Sequence, residues 1–60
     1  MDPDEALRLL RQGIAQREQA DSLAAENVAA EQIASAAVAL DGWLSHGGFL
    51  PAAWSSAVRP

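Results

Sequence analysis

The stretch Arg17-Glu18-Gln19-Ala20-Asp21-Ser22-Leu23-Ala24-Ala25-Glu26 decides the fold. No glycine or proline interrupts the chain from Ala15 to Leu40, so propensity alone permits one helix from Pro3 to His46. The apolar patterns on the two sides of the stretch argue against it. On the N-terminal side, Leu7, Leu10 and Ile14 centre an apolar face widened by Ala6, Leu9 and Gly13, while Arg8, Arg11, Gln12 and Gln19 point away. On the C-terminal side, Ala29, Ala30, Ile33, Ala36, Ala37, Leu40, Trp43 and Leu44 share one broad face. Asn27, Glu31, Ser35, Asp41 and Ser45 share the opposite one. Both patterns have the 3.6-residue period of an amphipathic helix. At about 100° per residue the two faces point roughly 115° apart, and Arg17, Glu18 and Glu26 interrupt both stripes near the join. Asp21 or Ser22 suits the cap of a second helix, with Glu26 in or near its first turn. The expected fold is therefore all-α: a two-helix hairpin in a single domain over 1–60, with helices over about 3–19 and 22–46 and a turn near Ala20 to Leu23. One long continuous helix is the alternative.

The first helix has a strong start. Asp2 suits the N-cap, Pro3 the first helical position, and Glu5 completes an Asp-x-x-Glu capping pattern. Asp4 and Glu5 set negative charge against the positive helix end, and Asp4 and Arg8 stand i,i+4 in the favourable order. Gly13 falls mid-helix, where glycine costs roughly 1 kcal/mol relative to alanine. It is either a tolerated weakness or a point where another helix comes close.

The second helix has an equally marked stop. Gly48 fits a left-handed residue just past the helix, with Gly47 as the C-cap; Leu44 and Phe49 then form the apolar contact of a Schellman motif. Pro51 prevents continuation. Residues from Pro51 to Val58 suit one short helical turn that folds Trp54 back, and Arg59 and Pro60 are expected to fray. The tail over 49–60 is thus expected to be a short, structured aromatic segment. Both tryptophans, the only phenylalanine and the only histidine lie between Ala39 and Trp54. Trp43, Phe49, Leu50 and Trp54 read in two ways: a small core pinning the tail, or a contact surface for a partner, since tryptophan is enriched at binding hot spots.

Length and composition limit the rest. Sixty residues without cysteine can form neither a disulfide nor a thiolate metal site. So small a chain buries only about 60% of its unfolded surface. Idealised packing, self-association or a partner must make up the deficit. A homodimer in a four-helix arrangement is expected, with Ala29, Ile33, Ala36, Ala37, Leu40 and Leu44 as the self-association residues. The formal charge of −4, with four arginines and no lysine, argues against nucleic acid, which needs clustered bases. The acidic N-terminus lacks the charge of a secretory signal, and no apolar run is long enough to span a bilayer. A cytoplasmic setting is expected.

No catalytic, cofactor or metal site is expected. His46 stands in the last helical turn, where the helix end favours its charge; Ser45 beside it does not face it. Asp41 reads as a solvated residue on the polar face. Glu26 and Glu31 miss the i,i+3 and i,i+4 spacings of a ligand pair, and Gly47-Gly48 follows a helix where a phosphate loop would precede one.

The C-terminal spelling Ala39-Leu40-Asp41, Trp43-Leu44, Gly47-Gly48, Leu50-Pro51 and Trp54 resembles short uncharacterised helical proteins of actinobacteria and their phages. Asp2-Pro3-Asp4-Glu5-Ala6-Leu7 is a weaker echo. The fourteen alanines and the missing lysine agree with a GC-rich origin. The resemblance implies no activity or ligand. The expectation is a small non-enzymatic interaction module, phage-encoded in origin, docking a protein through Trp43, Phe49, Leu50 and Trp54. The rival is a membrane-surface peptide anchored by Trp43, Phe49 and Trp54, which the net negative charge disfavours.

Overall fold

The computed structural model describes residues 2–56, and these are largely helical. Helix α1 spans Pro3–Gln19, α2 spans Leu23–Ser45, and a single turn, α3, spans Ala52–Ser55. α1 and α2 pack against each other as a hairpin. The expectations for Ala57, Val58, Arg59 and Pro60 lie outside the described residues.

The chain breaks where the two apolar stripes fall out of phase, so the continuous helix does not form. Ala20 leaves α1 in extended backbone (φ −65°, ψ 134°). Ser22, also extended, caps α2 by accepting the Ala25 N–H at 3.1 Å. Ser22 is therefore the cap, and Asp21 stays in the turn. Arg17 and Glu26 approach to 3.4 Å across the turn. The charges that interrupt the stripes thus bridge the gap they make. Both are half-exposed, so their pairing contributes no more than about 1 kcal/mol.

At its N-terminus α1 is capped by Asp2, whose carboxylate accepts the Asp4 N–H at 3.0 Å. The other half of the expected capping box does not form. Glu5 turns to Arg8 instead, with Arg8 Nε donating to Glu5 Oε2 at 2.9 Å, and this pair replaces the expected Asp4–Arg8 pair. The Arg8 hydrogen bond, aided by its charge, holds the Glu5 carboxyl below its ordinary pKa. Asp4 is left to accept from elsewhere in the chain.

The contact between the helices is built from small residues. Ala6 and Gly13 on α1 and Ala29 and Ala36 on α2 are buried, joined by Leu7 and Leu40. Gly13 marks a close approach. A methyl group placed there would lie 2.9 Å from Ile33 Cγ1 and 3.3 Å from the Ile33 backbone nitrogen. On the flank, Gln32 Nε2 donates to the Leu9 carbonyl at 3.0 Å.

The packed strip is narrower than the sequence pattern. Leu10 and Ile33 are only half-buried, Ile14 is 43% exposed, and Ala30 and Ala37 face solvent. One neighbouring helix covers part of a wide face and leaves its edge open. Leu23, Val28 and Val38 are also exposed on α2. The molecule measures 42 × 22 × 14 Å, a single layer of helices. None of its described helices is long and apolar enough to cross a membrane.

Gly13 and Gly42 should respond oppositely to alanine. Gly42 has nothing within 4 Å of an added methyl, so Gly42→Ala should stabilise by about 0.5–1 kcal/mol through helix propensity. Gly13→Ala should destabilise by about 1–2 kcal/mol, because overpacking outweighs the propensity gain. Thermal melts followed by circular dichroism measure both; a raised melting temperature for Gly13→Ala would contradict the close approach.

Candidate functional site

The site begins where α2 stops. His46, the C-cap, donates its N–H to the Gly42 carbonyl at 3.3 Å. Its ring Nδ1 lies 2.7 Å from the same oxygen, a contact that requires the tautomer protonated at Nδ1. The histidine thus seals the helix end with both groups. The next residue, Gly47, has φ +85°, in the left-handed region that favours glycine. Its N–H donates to the Leu44 carbonyl at 3.1 Å, and the Gly48 N–H donates to the Trp43 carbonyl at 2.9 Å. This pair of bonds is a Schellman motif.

The motif sits one residue earlier than the sequence suggested: Gly47, and not Gly48, is the left-handed position. Trp43 explains the shift. A methyl group at Gly48 would overlap Cδ1, Nε1 and Cε2 of the Trp43 indole. Gly48 is thus a seat for the ring, and the two glycines have different jobs, one conformational and one steric. The expected Leu44–Phe49 contact is replaced accordingly. Trp43 meets Phe49 edge to face, with ring centroids 5.4 Å apart and planes at 88°. Its indole N–H donates to the Phe49 carbonyl at 2.8 Å.

Beyond Phe49 the chain turns back toward the start of α1. Pro51 is fully buried, as is Pro3. The Ala52 N–H, first in α3, donates to Asp4 Oδ1 at 2.6 Å. The Trp54 and Ser55 N–H groups both donate to the Pro51 carbonyl, at 3.0 and 2.9 Å. Asp4 therefore serves a helix 48 residues away. Sequence reasoning assigned it to Arg8. The available signal was Pro51, which offers no side-chain acceptor at the N-cap of the turn that follows.

Of the four residues expected to meet a partner, Trp43 and Trp54 are half-buried, whereas Phe49 is 68% and Leu50 41% exposed. Trp43 and Phe49 are in contact. Among the six expected to mediate self-association, Ala29, Ala36 and Leu40 are buried, Ile33 and Leu44 are half-buried, and Ala37 is exposed. A cleft of about 290 Å³ runs along the flank of the hairpin, with Ala6, Leu9, Ala36 and Ala39 in its walls and Asp2 and Glu5 at its rim. Sequence reasoning did not find it, because it exists only once the two helices are set side by side.

The two glycines separate by experiment. Gly47→Ala should cost about 1 kcal/mol through left-handed strain and leave Trp43 seated. Gly48→Ala should expel the indole, seen as a red-shifted tryptophan emission and loss of the bonded indole N–H resonance. An unaltered indole resonance in Gly48→Ala would show that the ring does not depend on this seat.

Comparisons with protein-family models, with curated proteins and with solved structures find no match for this chain.

Proposed function

We propose that this chain is a small non-enzymatic interaction module that docks a protein partner through its C-terminal aromatic segment. The observation that carries this reading is the presentation of Phe49 and Leu50. Both are outward-facing, adjacent and large. The Trp43 indole holds the Phe49 carbonyl on one side, and Asp4 holds the Ala52 amide on the other. An apolar pair fixed in this way loses little conformational freedom on binding, which favours affinity. Trp43 and Trp54 supply the half-buried flanks of the surface.

Self-association into a four-helix dimer belongs to the same reading. The chain exposes 4298 Å², against about 3,700 Å² for a compact monomer of its mass. The open edge of the packed face and the exposed Leu23, Val28 and Val38 give a second layer something to cover. A cytoplasmic setting, that of the host cell for a phage-encoded chain, completes the proposal.

Site-specific photo-crosslinking tests the docking surface. A crosslinker at Phe49 should trap a discrete protein species, and one at Gln16, exposed near the turn end of α1, should not. Leu50→Ser should remove that species while leaving helicity unchanged. Equal trapping from both positions would refute the assignment. Sedimentation at micromolar concentration should show about twice the 6.3 kDa chain mass; a monomer throughout would refute the dimer. Trp54→Ala should retain helicity yet lower partner affinity about thirtyfold.

A further inference from the structure

We propose that residues 50–56 act as a releasable clasp on the open end of the hairpin, hinged after Phe49 and latched by the Asp4 carboxylate. The hairpin is closed covalently at one end by the turn at Ala20 to Ser22. At the other end, beyond the packed Ala6, Leu7 and Leu40, this segment runs back from α2 to Asp4 on α1.

The clasp depends on Asp4 because α3 cannot stand by itself. It is a single turn of four residues, far below the length at which a helix persists in water. Its own N-cap position, Pro51, makes no side-chain cap bond. The carboxylate that takes the Ala52 N–H belongs to another helix, so α3 is capped only while the segment lies against α1. The hinge end is fixed differently, by the Trp43 indole on the Phe49 carbonyl and the Gly48 seat. Releasing the latch therefore frees α3 without unseating Trp43.

Burial along α1 is uneven. Pro3 is fully buried and Leu7 is 4% exposed; Leu10 is half-buried, and Ile14 is 43% exposed. The end of a helix is ordinarily its most exposed part. Here the large apolar side chains are more buried near the end, within one turn of Asp4, than toward the turn, while Gly13 is buried against α2. The clasp meets α1 at this end, through Asp4. The contact of Gly13 with Ile33 and Ala29 lies beyond its reach and holds the hairpin in both states. The clasp stands on this geometry, independent of whether Phe49 and Leu50 dock a partner.

Amide exchange on the full chain tests the latch, read residue by residue with saturation-transfer NMR. Asp4→Ala should accelerate exchange at Ala52 by about tenfold or more, the consequence of losing a hydrogen bond to a charged group. The Ser55 and Ser56 amides should follow, while Ala29 and Ala36 should be unchanged. Asp4→Asn keeps an acceptor oxygen and should restore much of the protection. Glu5→Gln removes the same charge from the same helical turn and should leave Ala52 unaffected. An unchanged Ala52 rate in Asp4→Ala would overturn the proposal. So would a uniform acceleration through α1 and α2 matched by Glu5→Gln, because Asp4 would then act only on α1.

Discussion

The approach of α1 to α2 at Gly13 is the constraint on which the remainder rests. Two helices can come this close only where side chains are small, and the contact uses Gly13 and Ala6 against Ala29 and Ala36. Small residues bury little area, so the stabilisation is spread over dispersion contacts between backbones and methyl groups and is not concentrated in a large core. The larger side chains are consequently displaced to the edges. Ile14, Leu23, Val28 and Val38 are exposed because a tight, narrow seam leaves them nowhere to go. The same tightness explains why the aromatic residues gather at the end of the hairpin, the one place with room for an indole.

Polar groups at the two ends of the hairpin show how a short chain satisfies its backbone. The first N–H groups and last carbonyls of each helix need partners. Asp2 and Ser22 supply them for the helix starts, and Gly47 with Gly48 does so at the stop of α2. α3 has no such local partner and borrows Asp4. The long-range bond is thus a response to a local shortage. It also draws the described ends of the chain together at one pole.

Much of the architecture was legible in the sequence. The phase break near Ala20, the Ser22 cap, the Asp2-Pro3 start and the double-glycine stop are all local signals, and each appears within a residue of its expected place. What the sequence did not disclose depends on three-dimensional juxtaposition. The left-handed position moved from Gly48 to Gly47 because the Trp43 ring needs a residue without a side chain beneath it. Asp4 left Arg8 because Glu5 reaches the guanidinium in a better geometry and a distant amide needs an acceptor. Ala30 and Ala37 fall outside the seam because periodicity defines a face, whereas a single neighbour covers only a strip of it. Of the aromatic constellation, the sequence identified the members but not the division between half-buried tryptophans and outward Phe49.

The meeting of Asp4 and Ala52 has a practical consequence for anyone handling this protein. Because the beginning of α1 and the segment after α2 share one pole, a label or insertion at either of them crowds the same place. The turn at Ala20 to Ser22 occupies the opposite pole, about a full helix length away, and its Asp21 is exposed. A fluorophore, or a linker to a carrier protein, is best grafted there, where it leaves the far pole unobstructed.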